Sequence, residues 1–264
     1  MDAARIERAA GRIAEWRMGG TPIPPLPPEE TPRSEDEAYA IQAALHAHLA
    51  RRTGSSVSGF KIGCTTPAMR AYLNIPQPCA GGVFGGAVIR GGGAIRASDY
   101  LKVGVECELA VILGRSITPA DTPRSLDDAA DAVAAATAAM EIVDDRYADY
   151  AALGIHPLIA DDFFNAGAVL GPPVPAWQGI DLRELRGEMR INGAVVGSGI
   201  GADVMGNPLE ALLWLARRFG ELGWTLPRGS FVLLGSVVQT HWLSAGDDVR
   251  CTLFGLGQTD LSVR

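Results

Sequence analysis

The sequence predicts an α+β protein whose core is a mixed, mainly antiparallel β-structure with flanking helices. From Ser58 onward the chain consists largely of short apolar runs broken by glycines, a texture typical of strands and tight turns. The helical patterns do not alternate regularly with these runs, which disfavours a parallel, doubly wound sheet. With 264 residues, 47% of them hydrophobic and 20% charged, the chain can bury one sizeable core.

Two helices are predicted before the strands. Apolar residues recur at helical spacing from Ile6 to Trp16, and the following stretch TPIPPLPPEETP contains six prolines in twelve residues. Because no helix can continue through such a stretch, we expect the first helix to be an appendage. Ser34 then opens a capping-box pattern, and an apolar face predicts a second helix that ends near Arg52.

The remaining elements follow in a larger unit. Two helices are predicted there, an alanine-rich one over residues 126–139 and one with Asn207 as its cap and Pro208 as its first residue. We therefore divide the chain into an N-terminal helical segment with a proline-rich connector, residues 1–55, and a larger strand-rich domain, residues 56–264. The predicted strand segments are GFKIG, GGVFGG, AVIRGGG, VECELAVIL, EMRINGAVVG, SFVLLGSVVQTHWL and VRCTLFGLG.

Charge and composition exclude several classes of partner. The formal net charge is −7 and no run of Lys or Arg occurs, which disfavours a nucleic-acid partner. The charged N-terminus lacks the apolar core of a signal peptide, and no segment offers 18 uncharged apolar residues, so we expect a cytoplasmic protein without a membrane partner. The four cysteines lack CxxC spacing and are interpreted as reduced packing residues: Cys64, Cys79, Cys107 and Cys251.

Three glutamates lie in apolar surroundings. In the strand segment VGVECELAVIL, Glu106 and Glu108 share one face, with Cα atoms roughly 6.5 Å apart. If the chain is extended from Met140, Glu141 is a third such carboxylate. Each could form a salt bridge at the rim of the core, since charged residues are rarely buried unless paired. As a set, they suit a hard divalent cation such as Mg²⁺ or Mn²⁺.

Lys61 is a candidate for proton transfer or for binding a substrate carboxylate, because it lies between apolar residues on a predicted strand. An exposed lysine is the alternative, and only the position in the fold distinguishes the two. The motifs HExxH, GxSxG, GxGxxG and GxxxxGK[ST] are all absent from the sequence. Zinc peptidase, serine hydrolase and nucleotide-binding activities are therefore disfavoured.

Together these segments resemble the fumarylacetoacetate hydrolase superfamily, and within it the branch of 2-oxopent-4-enoate hydratases and 4-oxalocrotonate decarboxylases. The resemblance implies a β-roll of mixed strands with flanking helices, homo-oligomers, and an active-site lysine at Lys61. It also implies Mg²⁺ or Mn²⁺ bound by Glu106, Glu108 and Glu141. The matching segments, which run from about residue 38 to 258, are AYAIQ, GFKIGCTTPAMRAYLNIPQP, VGVECELAVIL, AMEIVDDRY, LIADDFFNAGAVLG, GSGIGADVMGNPLEALLWLA, LLGS and AGDDVRCTLFGLG.

The resemblance implies a small-molecule 2-oxo acid substrate. We expect a hydratase acting on a 2-hydroxydienoate such as 2-hydroxypenta-2,4-dienoate in aromatic-compound catabolism. A 4-oxalocrotonate-type decarboxylase and an acylpyruvate C–C hydrolase are alternatives, and a metal-stabilised oligomer without catalysis is a third. The chain departs from the hydratases at two positions, with Cys79 in place of an acid and Phe164 in place of a serine. These two residues and Asp161 are predicted pocket residues, although Asp161 is equally suited to capping or a turn.

Overall fold

The computed structural model describes residues 1–66, 70–71 and 75–264, so part of the segment GFKIGCTTPAMRAYLNIPQP lies outside the described residues. Five α-helices have bounds within these ranges: α1 (Ala3–Gly19), α2 (Glu35–Thr53), α3 (Leu126–Asp131), α4 (Ile155–Ala160) and α5 (Pro208–Glu221). The strands are β1 (Val57–Gly63), β2 (Cys79–Phe84), β3 (Val88–Arg90), β4 (Gly93–Ile95), β5 (Val103–Leu113), β6 (Val133–Asp144), β7 (Asn165–Leu170), β8 (Arg186–Ile191), β9 (Ala194–Ile200), β10 (Phe231–Trp242), β11 (Asp248–Leu253) and β12 (Gly257–Val263).

A mixed, seven-stranded sheet forms the centre of the described fold, in the order β2-β1-β10-β5-β6-β7-β3. Only the β1–β10 and β3–β7 pairs of this sheet are parallel. The sheet curls into a roll, because β2 near one edge contacts β7 near the other. The predicted α+β class with a mixed, mainly antiparallel β-roll is confirmed.

A second, five-stranded sheet, in the order β4-β12-β11-β8-β9, covers one face of the roll. Alternate residues of β5, such as Cys107, Leu109 and Val111, are buried in the core shared by the two sheets, where Cys107 contacts Cys251 of β11. All four cysteines are free and buried. The opposite face of β5, which carries the two glutamates, therefore points into the roll.

Helix α1 is not the appendage that the proline-rich connector suggests. It packs against α2, and its small residues Ala9 and Ala10 are completely buried there. The connector itself returns to the core, since Ile23 is buried and its backbone N–H donates to the carbonyl of Arg146 at 2.7 Å. Prolines end a helix but do not prevent the chain on either side from docking.

The predicted alanine-rich helix over residues 126–139 is wrong in its second half. Helix α3 ends at Asp131, and β6 begins at Val133 in the middle of the large sheet. The helix preference of alanine is only a few tenths of a kcal/mol per residue over common alternatives. Pairing along nearly the whole of β5, with Ala136 and Ala138 buried between the sheets, outweighs it.

The helix predicted at Asn207 is confirmed as α5, because the Asn207 side chain accepts a hydrogen bond from the Leu209 N–H at 3.0 Å. No helix in the described ranges is both long enough and apolar enough to cross a membrane.

Candidate metal centre

The side chains of Glu106, Glu108 and Glu141 converge inside the roll. Glu106 on β5 is directly opposite Glu141 on β6, and Glu108 lies on the same face two residues further along β5. One carboxylate oxygen from each residue lies within 4.8 Å of the other two. The extended conformation expected at Met140 thus brings together acids that are far apart in sequence.

Each carboxylate is oriented by a neighbouring strand. The hydroxyl of Thr240 donates to Glu106, the backbone N–H of Gly235 donates to Glu108 at 2.9 Å, and the Asn165 side-chain amide donates to Glu141 at 2.9 Å. These bonds come from β10 and β7, the strands next to β5 and β6. The three carboxylates are therefore held in one arrangement before any ligand binds.

Gly235 is required at its position for two reasons. Its φ is +126°, a region that residues with a side chain rarely adopt, and a Cβ there would lie 2.5 Å from the hydroxyl oxygen of Thr65. Only glycine therefore lets the backbone N–H of β10 reach Glu108.

Lys61 lies beside the carboxylates and not on the surface. Its Nζ is 3.2 Å from Glu141 Oε1, and its side chain is only 4% exposed. The ammonium group also lies 4.9 Å from the centre of the Phe163 ring. Burial by itself lowers the pKa of Lys61, but Glu141, with smaller contributions from Cys79 and the two glutamates of β5, raises it above its ordinary value.

The positive charge near the three carboxyl groups does not balance their negative charge. Burial, followed by repulsion from Glu141, raises the pKa of Glu106 to about 7. Burial, together with Glu141 and Glu106, raises the pKa of Glu108 well above its usual range. Among the described residues, Lys61 is the cation within ion-pair distance of this cluster. Three carboxylates against one ammonium group suit a divalent cation, which supplies the missing charge and prefers oxygen ligands.

A cavity of about 980 Å³ opens onto the cluster. Lys61 and Glu106 line it together with an aromatic wall formed by Tyr150, Phe163 and Phe164. The three rings are in edge-to-face contact through Phe164. The cavity is large enough for a small organic acid that contacts both Glu106 and Lys61.

Arg70 is a second cation in the cavity lining. Its guanidinium donates to the carbonyl groups of Cys64 and Thr65 at 3.2 Å. Among the described residues, no carboxylate lies within ion-pair distance of Arg70. The cavity therefore presents positive charge at a position separate from the carboxylate cluster.

The other predicted pocket residues lie at different depths. Phe164 lines the cavity, whereas Cys79 and Asp161 are buried behind its lining. The Cys79 thiol contacts that of Cys64. Asp161 is engaged by its neighbours, since its Oδ2 accepts hydrogen bonds from Arg146 Nε at 2.7 Å and from Tyr147 at 2.8 Å. The Asp161 side chain is thus paired with Arg146 and Tyr147 behind the cavity lining.

Several residues at the site are not marked by the local sequence pattern. Asn165 and Thr240 orient carboxylates from strands distant in sequence, and nothing in the local pattern of either strand marks them. Phe163 and Arg70, which line the cavity, are likewise not marked by the local sequence pattern. Their positions depend on the curl of the sheet, which places β2 against the chain that precedes β7.

The sequence is similar to known proteins over most of its length. A family model described as fumarylacetoacetate (FAA) hydrolase C-terminal matches residues 76–264. A 2-keto-4-pentenoate hydratase of Burkholderia vietnamiensis is 32% identical over 256 residues, covering 97% of this chain and 96% of the relative. A 4-oxalocrotonate decarboxylase of a Pseudomonas species is 32% identical over 260 residues, covering 98% of each.

Solved structures share the fold. A 4-oxalocrotonate decarboxylase from Pseudomonas putida, complexed with magnesium and adipate, superposes with a TM-score of 0.91 at 23% identity, covering 100% of this chain and 99% of that one. A fumarylpyruvate hydrolase from Pseudomonas aeruginosa, in complex with Mn²⁺ and pyruvate, gives a TM-score of 0.60 at 16% identity, covering 77% of this chain and 88% of that one.

Proposed function

Because the chain belongs to the fumarylacetoacetate (FAA) hydrolase family, we propose that it is a divalent-metal-dependent hydratase of small 2-oxo or 2-hydroxydienoate acids. The substrate is 2-hydroxypenta-2,4-dienoate or a close analogue, formed in the catabolism of aromatic compounds. Relatives that carry the hydratase name over their full length support this activity. The observation that carries the proposal is the convergence of three carboxylates and one lysine beside a cavity that Glu106 and Lys61 line.

Glu106, Glu108 and Glu141 are the residues that would hold the metal, and their oxygen donors suit Mg²⁺ or Mn²⁺. When bound, the cation supplies a Lewis acid that stabilises negative charge developing on a 2-oxo acid. Thr240, Gly235 and Asn165 keep the three carboxylates in place, so little reorganisation is needed when substrate enters.

Lys61 carries protons in this proposal. Its ammonium group faces the cavity next to Glu141. There it can donate a proton to the carbon that is protonated when a dienol becomes a ketone, and the neutral amine can then take up the proton lost from the 2-hydroxyl group. The rings of Phe163 and Phe164 form an apolar wall of the cavity on this side, with Phe163 next to the ammonium group.

A second candidate function is favoured by Arg70. A guanidinium group in the cavity lining suits a second carboxylate on the substrate, which 2-hydroxypenta-2,4-dienoate lacks. The alternatives whose substrates carry a second carboxylate are a 4-oxalocrotonate-type decarboxylase and, among the C–C hydrolases of acylpyruvates, one that acts on a substrate such as fumarylpyruvate. The lack of a carboxylate at Cys79, where hydratases carry an acid, supports them as well.

Product analysis distinguishes these reactions. The purified protein with Mg²⁺ is incubated separately with 2-hydroxypenta-2,4-dienoate, 4-oxalocrotonate and fumarylpyruvate, and products are identified by mass spectrometry and CO₂ release. We expect the dienoate to gain one water without release of CO₂. Release of CO₂ from 4-oxalocrotonate, or of pyruvate from fumarylpyruvate, at a higher kcat/KM than hydration would replace the first proposal by the corresponding alternative.

We further propose that the protein is a cytoplasmic homo-oligomer. Support for the oligomer comes from exposed apolar side chains on the second sheet and its connections, where Val195 is 50% exposed, Ile200 40% and Phe254 49%. Strand β9, at the edge of that sheet, also has one unpaired side among the described strands. Light scattering on the purified protein measures the number of subunits.

A further inference from the structure

The turn between α4 and β7 has an uncommon backbone. Three consecutive residues with side chains have left-handed φ values: Asp162 (+58°), Phe163 (+48°) and Phe164 (+67°). Such conformations are disfavoured for residues other than glycine, so they persist only where surrounding contacts determine them. The contacts that hold this turn come from distant parts of the chain.

The carboxylate of Asp162 is the main point of attachment. It is completely buried, and its Oδ1 lies 2.6 Å from His46 Nε2 of α2 and accepts the Gly82 N–H of β2 at 2.8 Å. Its Oδ2 accepts a hydrogen bond from Arg17 Nη1 of α1 at 2.9 Å. The same Nη1 lies 3.3 Å from Asp161 Oδ1. Arg17 thus joins two adjacent carboxylates of the turn to the N-terminal helix.

This turn positions two groups at the candidate metal centre. Phe163, its middle residue, places its ring 4.9 Å from the ammonium group of Lys61. Asn165 follows directly after the turn and donates to Glu141 at 2.9 Å. A displacement of the turn therefore moves both the wall beside Lys61 and the hydrogen bond that orients Glu141.

We propose that Arg17 and Asp162 are positioning residues of the active site: their ion pair couples helix α1 to the left-handed turn that places Phe163 against Lys61 and Asn165 against Glu141. This inference rests on the proposed function for its kinetic consequences, although the contacts exist independently of the reaction. The N-terminal helix accordingly contributes to the geometry of the site through Arg17, which is 145 residues away from Asp162 in sequence.

The test compares Arg17→Gln with Arg12→Gln in the full chain. Arg12 is a matched control, because it lies on the same helix and also pairs with a buried carboxylate, Glu30, at 2.7 Å, but has no contact with the turn. Three quantities are measured: kcat and KM with 2-hydroxypenta-2,4-dienoate, the Mn²⁺ dissociation constant, and amide hydrogen exchange of the peptide covering residues 161–165.

For Arg17→Gln we expect kcat to fall about tenfold, because misplacing catalytic groups by a fraction of an ångström has effects of this size or larger. KM should change much less, Mn²⁺ should bind more weakly, and the turn peptide should exchange faster. Arg12→Gln should match the wild type in all three. Arg17→Lys, which keeps the charge, should lie between wild type and Arg17→Gln. Arg17→Gln should have a smaller effect in an Asp162→Asn background than in the wild type, because only the contact with Asp161 at 3.3 Å then remains to be lost.

Equal kcat, Mn²⁺ affinity and turn exchange in Arg17→Gln and Arg12→Gln would overturn the proposal. A lower Tm for Arg17→Gln with wild-type kcat and turn exchange would overturn it too, since the role would then be structural only. A wild-type protein without turnover of any 2-oxo acid contradicts the proposed function instead, and Mn²⁺ affinity and turn exchange still decide the positioning role.

Discussion

Glu106 and Glu141 are directly opposed residues on the adjacent antiparallel strands β5 and β6. Like charges in this position destabilise a sheet, and burial makes each charge more costly. The neighbouring Lys61 offsets only part of this repulsion, as the raised pKa of Glu106 indicates. The arrangement lowers the stability of the metal-free protein, and it is a reasonable arrangement for binding a divalent cation.

Replacing Glu106 by Gln should therefore have opposite effects on stability and activity. Without metal, we expect the free energy of unfolding to rise by about 1 kcal/mol, since one of the opposed charges is removed. Metal-dependent turnover should fall at least about hundredfold. Urea unfolding with a chelator and steady-state kinetics measure the two effects. Glu210→Gln on α5, outside the cavity lining, is the control, and retained turnover in Glu106→Gln would contradict the assignment.

Asn165→Ala should weaken metal binding without removing a ligand. The variant loses the amide that orients Glu141, and groups of this kind typically contribute a factor of about 10 to 100 in metal affinity. Isothermal titration with Mn²⁺ measures the change. Asn192→Ala, in the exposed β8–β9 turn, removes an amide that pairs with Asp247 and should leave the affinity unchanged. Equal affinities in the two variants would show that the amide has no influence on the metal.

Gly235→Ala should be more destabilising than an alanine at another glycine with positive φ. At Gly223, with φ +73° and open space around the added Cβ, we expect a loss of about 1 kcal/mol from backbone strain. Gly235→Ala adds a collision with Thr65 and displaces the N–H that binds Glu108. Its free energy of unfolding should therefore fall by more than about 2 kcal/mol. Denaturant midpoints measure both variants. Similar midpoints would mean that β10 relaxes around the new side chain.

The stability of the protein should depend on Asp162 at acid pH. Burial opposes ionisation of Asp162, but His46, Arg17 and the Gly82 N–H outweigh it and lower its pKa below the ordinary value. A lowered folded-state pKa means that the contribution to stability is complete above the unfolded-state pKa, about 3.9, and is lost as the pH falls further.

Unfolding midpoints at pH 5 and pH 3 test this expectation. The wild type should lose more stability between these two values than Asp162→Asn, in which no proton can bind at this position. An equal loss in both proteins would mean that Asp162 does not titrate in the folded state in the way that its contacts require.

Local patterns predicted much of this fold because they report which residues can be buried. The alternation in VGVECELAVIL placed the two glutamates on one face of β5, and the cap at Asn207 located the start of α5. The alanine run was predicted wrongly because alanine fits either element, and the choice between helix and strand came from the neighbouring strands β5 and β7.

The sequence by itself determined the class of fold and the acidic residues and lysine suited to a metal site. Periodicity and residue chemistry are local properties of the sequence, and they can be recognised without knowing which segments are neighbours in the fold. Only the tertiary structure decided that Lys61 is buried beside Glu141, that Asp161 pairs with Arg146, and that Arg17 reaches Asp162 from the first helix. Such contacts join residues far apart along the chain, and they depend on how the sheet curls and where α1 docks.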